Sequence, residues 1–406
     1  MTKTDSIKTV AVVVPSLAKG GGVPTVARFV VDAAVASGRW MPKLVSLSMS
    51  SSDPMSVSIC RPRTWWRGVS QQNGTWHGFP YVHVGALGGE LEFQRYARRA
   101  VLDEVLADCE VVQMVCGSPA WANAVVGLNK PVALQVATRA KVERRQRDAN
   151  LRRPVDWWRR WMTEITGRLD DRALRRVDAI QVENPWMLEY ARRLNVGRTV
   201  DIRYAPPGIN TDVYQPLPHR DVTSAPYILC VGRLQDPRKN IGLLVSAYAL
   251  LPEAVRGRVR LVLAGSSAPP DSFWAKADSL GVRDRVEYVA SPSREELVRL
   301  YQDASVFALP SDEEGLGMVI LEAMSCAVPV VPTRSGGPDG IITDGEDGFL
   351  VPLDDAAAMA GRLQTLLENP SLNITMGRKA RATIEARYDE RVAGAVFVDM
   401  WDRLIE

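Results

Sequence analysis

Short apolar runs alternate with amphipathic stretches along almost the whole chain, and this alternation constrains the fold more than any other feature. The runs have the length of strands, and the stretches between them, such as Phe93–Ala107, have the length and pattern of helices. Strands joined through helices are parallel, and a parallel sheet needs apolar cover on both faces. We therefore predict an α/β protein with doubly wound sheets.

One segment interrupts the alternation near the middle of the chain. Residues 204–219 contain four prolines and a glycine, a density that indicates a linker or hinge. We predict an amino-terminal Rossmann-like domain over residues 1–215 and a carboxy-terminal Rossmann-like domain over residues 216–388. Helical residues 389–406 are expected to return to the first domain. Two such sheets facing each other would place both binding edges on one cleft.

The composition is that of an ordinary globular protein and excludes several classes. Apolar residues make up 46% and charged residues 24%, and a net charge of +3 is too small to indicate nucleic-acid binding. The scattered cysteines and histidines show neither a disulfide framework nor metal-ligand spacing. No apolar run is long enough to span a membrane, and the first one resembles a core strand rather than a signal peptide. We expect a cytoplasmic protein.

Two carboxylates flank a glycine turn in the second half. Glu314 is followed directly by Gly315-Leu316-Gly317, and Glu322 lies further along the helix that opens there. Glycine lets the backbone approach a ligand, and the first N–H groups of a helix attract anions. If most of the step is helical, the carboxylates lie roughly 12 Å apart along the axis, the span from a sugar across a diphosphate to a ribose. A surface helix with two acidic residues would show the same pattern.

Two cations lie in the loop after the first strand of the second half. Arg233 follows Gly232, and Lys239 comes just before the next helix. Cations at the carboxyl end of a strand suit a diphosphate, although a solvated basic loop is the alternative. Arg238 is expected to point elsewhere.

Two other glycine turns follow strands. Gly20, Gly21 and Gly22 precede a helix, but Thr25 replaces the third glycine of a dinucleotide fingerprint. The triple glycine indicates close approach to an anion or sugar, or a tight turn. The turn that begins at Ser335 either closes beside the phosphates or is a plain turn.

Together these motifs resemble the retaining glycosyltransferases of glycosyltransferase family 4, which have the GT-B fold. The resemblance extends along the second half and more loosely along the first. It rests on Gly232-Arg233, Lys239-Asn240, the P-S-x-x-E-G-x-G-x-x-x-x-E-A run from Pro310 to Ala323, Gly336-Gly337-Pro338, the Gly20–Gly22 loop and Pro206-x-Gly208-Ile209-Asn210.

The resemblance implies a role for each matching residue. Arg233 and Lys239 would clamp the diphosphate, Glu314 would lie near the hydroxyls of the donor sugar, and Glu322 would bind the ribose. Of these, Arg233, Lys239 and Glu314 are the implied catalytic set. The implied donor-binding backbone comprises Gly21, Gly22, Gly232, Gly315, Leu316 and Gly317.

The resemblance also implies a chemistry that needs neither a metal nor a cofactor. A UDP- or GDP-sugar would donate its sugar to an acceptor that attacks the face from which the diphosphate leaves, so the anomer is retained. Catalysis then consists mostly of positioning and charge stabilisation. A small metabolite or natural-product intermediate is the expected acceptor. The alternatives are a lipid-linked or polysaccharide acceptor, a sugar-nucleotide epimerase or hydrolase, and a binding protein without activity.

The first half departs from the family where the acceptor is expected. The family often has a histidine after the strand at Val132–Ala137, but this chain has none there, and Leu316 replaces a usual phenylalanine. Thr138 and Arg139 are the implied acceptor-side residues. The basic segment 139–176 that follows is interleaved with tryptophans, so it forms a solvated surface, a lid over the acceptor, or a peripheral contact with an anionic membrane.

Overall fold

Two largely parallel sheets organise the part of the chain that the structure describes, namely residues 7–17, 21–145, 148, 154–218 and 225–406 of a computed structural model. One sheet belongs to a unit formed by Met1–Pro207 and Arg391–Glu406, and the other to a unit formed by Gly208–Glu390. Both units alternate strands with helices, which confirms the predicted α/β class.

The sheet of the amino-terminal unit has strand 1 near its middle. Its order is β3-β4-β2-β1-β5-β6-β7-β8, and every neighbouring pair is parallel except β3 with β4. The strands are β1 (Lys8–Val14), β2 (Trp40–Leu47), β3 (Gln71–Trp76), β4 (Phe79–Val84), β5 (Val111–Cys116), β6 (Val132–Val136), β7 (Ala179–Val182) and β8 (Asp201–Tyr204).

The sheet of the carboxy-terminal unit is parallel throughout, in the order β11-β10-β9-β12-β13. The strands are β9 (Tyr227–Val231), β10 (Arg260–Gly265), β11 (Val286–Ala290), β12 (Val306–Leu309) and β13 (Val330–Pro332). The chain therefore winds outward from β9 in one direction and then from β12 in the other. This is the doubly wound arrangement, with its switch point between β9 and β12.

Helices connect these strands and cover both faces of each sheet. They are α1 (Gly22–Ser37), α2 (Val101–Val105), α3 (Ala140–Glu143), α4 (Pro154–Leu174), α5 (Pro185–Leu194), α6 (Ile241–Ala249), α7 (Glu253–Arg256), α8 (Asp271–Ser279), α9 (Arg294–Asp303), α10 (Met318–Ser325), α11 (Pro338–Ile341), α12 (Ala356–Glu368), α13 (Pro370–Arg387) and α14 (Glu390–Leu404). Within the described ranges, no helix is both long and apolar enough to cross a membrane.

The α14 helix covers one face of the amino-terminal sheet together with α1. Phe397 packs edge-on against Phe29 with ring centroids 5.4 Å apart. The indole of Trp401 is fully buried and donates a 2.8 Å hydrogen bond to Gln113 Oε1 on β5. Asp399 accepts a 2.6 Å hydrogen bond from Arg203 on β8.

The carboxy-terminal unit begins at Gly208, earlier than residue 216, where the sequence placed the domain boundary. The residues after Gly208 are held by hydrogen bonds to the end of the same unit. Ile209 N donates to Tyr388 O over 2.7 Å, and Thr211 Oγ1 donates to Asp389 Oδ2 over 2.5 Å. The prolines gave these residues the composition of a linker, but their backbone is paired. Residues 219–224 of the expected linker lie outside the described residues.

Candidate active site

The loops after β9 and β12 leave the carboxy-terminal sheet on the two sides of its switch point. Open parallel sheets bind their ligands in the crevice that opens there, at the carboxyl ends of the strands. The loop after β9 carries Arg233 and Lys239, and the loop after β12 carries Glu314. All three predicted catalytic residues therefore lie at the edge where a ligand is expected.

Lys239 and Glu314 form a close ion pair at this edge. Lys239 Nζ lies 2.5 Å from Glu314 Oε1, and Ser311 Oγ donates to the same oxygen over 2.6 Å. Only 17% of the Lys239 side chain and 9% of the Glu314 side chain are exposed. A buried charge is costly when it has no partner, so each of the two side chains supplies the opposite charge that the other needs at this largely buried position.

Arg233 is the more accessible cation, since 62% of its side chain is exposed. Its Nη2 lies 3.1 Å from Asp236 Oδ2, which also accepts a 2.9 Å hydrogen bond from Arg238. Burial alone would raise the pKa of Asp236, but the hydrogen bonds and charges of the two arginines outweigh it and lower that pKa. Asp236 thus fixes the loop while Arg233 still faces solvent.

Asn240 joins this loop to the loop after β12. Its φ of +41° is left-handed, and its side chain accepts from Leu243 N at the start of α6. Its Nδ2 donates to Asp312 Oδ1 over 2.7 Å, and Asp312 N donates to Arg238 O over 2.8 Å. These bonds fix the position of Lys239 relative to Glu314.

The glycine turn after Glu314 packs backbone against backbone with a third loop. Gly317 precedes α10 with a φ of +91°, and Gly337 N donates to Glu314 O over 3.0 Å. A Cβ on Gly337 would lie 2.3 Å from Leu316 O, so only glycine fits there. Leu316 is 3% exposed and packs in the core, so its side chain is not available for ligand contact.

The backbone of Gly232 packs closely against Gly265 at the end of β10. Its N donates to Ala264 O over 3.0 Å, and a Cβ on Gly265 would lie 2.1 Å from Gly232 O. The backbone at the end of β9 is therefore packed directly against the end of β10, which leaves little freedom for the start of the Arg233 loop.

Glu322 lies on α10, and two tyrosines hold its partly buried carboxylate. Tyr301 Oη donates to Oε2 over 2.6 Å, and Tyr214 Oη donates to Oε1 over 3.3 Å. Burial raises the pKa of Glu322 to about 6, although both hydrogen bonds act to lower it. The carboxylate predicted for the ribose is therefore positioned before any ligand arrives.

In the amino-terminal unit, Gly21 and Gly22 lie at the start of α1, beyond the carboxyl end of β1. Gly21 has a φ of +109°, and a Cβ on Gly22 would meet nothing within 4 Å. The backbone of Gly22 is thus open to its surroundings. Gly20 lies outside the described residues.

Thr138 and Arg139 follow β6, but the guanidinium of Arg139 is already engaged. It pairs with Asp171 on α4, lies 4.0 Å from the ring centroid of Tyr190, and is 11% exposed. Thr138 N donates to Gly117 O over 3.0 Å. These contacts give Arg139 a structural role at the acceptor-side position that the resemblance implied.

Asp170 is a buried residue that the sequence analysis missed. Its carboxylate accepts from Ser118 Oγ at 2.5 Å, from Ala120 N at 2.9 Å and from Ala140 N at 2.9 Å, so it joins the loops after β5 and β6. Burial raises the pKa of Asp170 to about 6, against the effect of these hydrogen bonds. An isolated acid on a helix gives no sequence signal of such a role.

A second missed group, the Gln135/Gln181/Glu183 cluster, lies inside the same sheet. Gln135 Nε2 donates to Glu183 Oε1 over 3.1 Å, and both amide atoms of Gln181 are buried without a partner among the described residues. Burial raises the pKa of Glu183 to about 7, and the hydrogen bond from Gln135 only partly opposes it.

We expect Glu183→Gln to remove a pH-dependent loss of stability. The pKa of Glu183 is raised to about 7 in the folded state. The folded protein therefore binds more protons than the unfolded chain at pH values between the usual pKa of a glutamate and this raised pKa. Its stability therefore falls as the pH rises through this window. Between about pH 5 and about pH 8, the free energy of unfolding of the variant should rise by at most about 3 kcal/mol relative to that of wild type.

Thermal or urea unfolding at the two pH values measures this gain. The matched control is Glu189→Gln, since Glu189 is exposed on the neighbouring helix α5. A stability difference between wild type and Glu183→Gln that stays constant across the window would contradict the raised pKa.

Comparison with known proteins identifies the carboxy-terminal half. Residues 218–383 match the family model described as glycosyl transferases group 1, and this segment contains the Lys239–Glu314 pair. Residues 218–383 are a group 1 glycosyltransferase domain. The resemblance to GT-B glycosyltransferases is confirmed, and membership of family 4 agrees with it.

Curated relatives match this chain over part of their length. A D-inositol 3-phosphate glycosyltransferase of Mycobacterium sp. (strain KMS) is 35% identical over 173 residues, which are 40% of this chain and 38% of the relative. A GDP-mannose-dependent alpha-(1-6)-phosphatidylinositol monomannoside mannosyltransferase of Mycolicibacterium smegmatis is 32% identical over 222 residues, 50% of this chain and 57% of the relative. The alignments thus span about 40 to 60% of these relatives.

Solved structures share the fold over nearly the whole chain. Sucrose-phosphate synthase from Thermosynechococcus elongatus aligns with a TM-score of 0.73 at 21% identity, covering 98% of this chain and 99% of that one. Anabaena HepE in complex with UDP and glucose aligns with a TM-score of 0.71 at 14% identity, covering 98% and 100%. The group 1 glycosyltransferase domain therefore belongs to a chain with the GT-B fold.

No group of three or more acidic, histidine or cysteine side chains in the described ranges is arranged to hold a metal ion. The charged groups at the candidate site are the cations and carboxylates of the loops after β9 and β12. Ser311, Tyr214 and Tyr301, which support the two glutamates, were missed as site residues. Ser311 lies inside the quoted motif, whereas neither tyrosine belongs to any of the quoted motifs.

Proposed function

We propose that this chain is a retaining glycosyltransferase that moves a sugar from a UDP- or GDP-sugar to an acceptor by front-face substitution. The observation that carries the proposal is the Lys239–Glu314 pair, with Nζ and Oε1 2.5 Å apart at the switch point of the sheet. A cation and a hydroxyl-binding carboxylate side by side suit the junction between a diphosphate and a sugar.

Each residue of the site has a distinct role in this reaction. Lys239 and the exposed Arg233 stabilise the negative charge that develops on the departing diphosphate. Glu314 accepts hydrogen bonds from hydroxyls of the donor sugar, and Glu322 accepts them from the ribose. The diphosphate oxygen that leaves takes the proton of the acceptor hydroxyl, so no metal and no separate base is required.

We expect one class of sugar nucleotide to stabilise the protein strongly in a thermal-shift screen. UDP-glucose and GDP-mannose are the first ligands to compare, because HepE was solved with UDP-glucose and a relative is named for GDP-mannose. A donor at 100 times its dissociation constant should add about 2.7 kcal/mol to the free energy of unfolding. The selected donor should then give a product with the donor's own anomeric configuration by NMR.

Two results would contradict this proposal. A screen of UDP-, GDP- and ADP-sugars without any shift would remove the donor assignment, and an inverted anomer would remove the retaining reaction. Turnover of the sugar nucleotide without an acceptor would instead favour an epimerase or hydrolase on the same fold.

The first candidate acceptor is a small polar metabolite. The curated relatives named for D-inositol 3-phosphate support this class. In this reading the protein acts in the cytoplasm and needs no membrane. Adding free inositol phosphates to an assay with the selected donor tests the class directly.

A lipid-linked acceptor at the inner membrane surface is the second candidate, and α4 carries the observation that favours it. Trp157, Trp158 and Trp161 are 65%, 50% and 53% exposed on this arginine-rich helix. Exposed tryptophans and cations on one helix favour the interface of an anionic bilayer. Co-sedimentation with anionic and neutral vesicles separates the two candidates.

A further inference from the structure

The amino-terminal unit contains a cavity of about 800 Å³ that is separate from the glycine turn of β1. It lies between α4, the 3-10 helix Glu92–Tyr96 and the 3-10 segment Pro119–Ala124 with the residues that follow it. Its volume falls in the range of small-molecule binding sites.

One wall of the cavity is apolar and continuous along α4. Trp161, Ile165 and Leu169 follow each other at one-turn spacing, so they form a single stripe. Phe93 and Tyr96 face the cavity from the 3-10 helix. Branched and aromatic side chains with few polar groups suit a hydrocarbon chain better than a nucleobase, whose edges need hydrogen-bond partners.

The other end of the cavity is cationic. Arg98, Arg172 and Arg176 line it, and no acidic residue does. A Cβ on Gly127 would lie 3.6 Å from Arg98 Nη1 and 3.7 Å from Arg176 Nη2, so two guanidinium groups meet at one point.

The charges at this end are only partly neutralised. Arg98 pairs with Asp103 at 2.6 Å, but the guanidinium groups of Arg172 and Arg176 have no hydrogen bond or ion pair with any described residue. Asn123 also lines the cavity, and its Oδ1 is buried without a partner in the described part of the chain. The cationic end therefore favours an anionic group.

This end lies at the wrong edge of the sheet for the transfer reaction. Arg176 comes just before β7, and Gly127 comes shortly before β6, so both belong to the amino ends of the strands. Gly21, Gly22, Thr138 and Arg139 lie at the carboxyl ends, where parallel sheets bind their substrates. A ligand of this cavity is thus not positioned to react.

We propose that the cavity binds one membrane lipid with a phosphomonoester headgroup. The acyl chain lies along Trp161, Ile165 and Leu169, and the phosphate accepts hydrogen bonds from Arg172 and Arg176. Guanidinium groups bind phosphate through paired N–H donors. The site holds a lipid without consuming it, so it does not depend on the proposed transfer activity.

The test is calorimetric titration of the full chain with lauroyl lysophosphatidic acid below its critical micelle concentration. We expect saturable binding with one lipid per chain, weaker binding of dodecyl maltoside, and no measurable binding of inorganic phosphate. Arg172→Gln/Arg176→Gln should weaken the binding at least about tenfold, because it removes charge-assisted hydrogen bonds. Trp161→Ala should weaken it as well.

The matched control is Arg160→Gln/Arg168→Gln, which removes the same charge from exposed positions of α4 that do not line the cavity. An equal loss of lipid affinity in this control would show a general attraction of the lipid to the basic helix α4 and would overturn the proposed site. Equal affinity for dodecyl maltoside would overturn the phosphate assignment, and displacement of the lipid by UMP would make the site a nucleotide site. Since the readout is binding, a failure here leaves the test of the transfer reaction untouched.

Discussion

Lys239→Ala is expected to lower turnover by ~10²–10³, the usual loss when one preorganised donor to a developing oxyanion is removed. It should also lower the free energy of unfolding, because Glu314 is 9% exposed and would lose its 2.5 Å partner. Steady-state kinetics with the selected donor and thermal unfolding measure the two effects.

Arg233→Ala separates the two effects. Because 62% of its side chain is exposed, its loss should reduce turnover with little change in stability. The control is Lys276→Ala, since Lys276 belongs to none of the site motifs and its Nζ donates a 2.8 Å hydrogen bond to Gly242 O. If Lys239→Ala were fully folded and kept near-normal turnover, the diphosphate assignment would be wrong.

Gly337→Ala is expected to destabilise the carboxy-terminal unit by about 2–3 kcal/mol or more and to weaken donor binding. The added Cβ would lie 2.3 Å from Leu316 O and 2.6 Å from Leu316 C. Both are backbone atoms of the turn between Glu314 and α10, so the turn itself has to move. Thermal unfolding and donor titration measure the outcome.

The same substitution elsewhere in this unit provides the control. Gly361 lies inside α12, and a Cβ there would meet nothing within 4 Å. Gly361→Ala should therefore raise stability by up to about 1 kcal/mol, because alanine favours the helix. Similar effects of the two changes would show that the loop at Gly337 does not pack against the donor turn.

The alternating pattern predicted the α/β class well because buried parallel strands need apolar side chains on both faces. β1 shows this clearly, since Val10, Val12 and Val14 face one core and Ala11 and Val13 the other. The apolar pattern of such a strand involves only its own residues, so the strand can be predicted from the local sequence. The same holds for Gly317, because its positive φ is a property of that residue alone and favours glycine.

Contacts between distant residues could not be read in this way. The segment Phe93–Ala107 has a helical pattern, but the structure divides it into the 3-10 helix Glu92–Tyr96 and α2, with extended backbone at Ala97. Between them, the buried guanidinium of Arg99 donates to Val84 O and to Ser48 O. An arginine in an amphipathic pattern gives no sign that it will be buried.

The candidate site was predicted in outline for the same reason. Its loops carry motifs, so Arg233, Lys239 and Glu314 were found before the fold was known. The residues that hold these groups in place act across the fold: Tyr214 and Tyr301 reach Glu322 from other elements. Asp170 likewise joins two loops of the amino-terminal sheet from a helix.

The packing of α14 has a consequence for the order in which the protein can fold during its synthesis. Gly208–Glu390 is made without interruption and has all of its strands once Glu390 has left the ribosome. The amino-terminal unit, although translated first, still lacks Phe397 and Trp401 at that point, so the sheet face that α1 and α14 share is only partly covered. The carboxy-terminal unit, although it is made second, can therefore reach its native state first. The amino-terminal unit cannot complete its packing before α14 has been made.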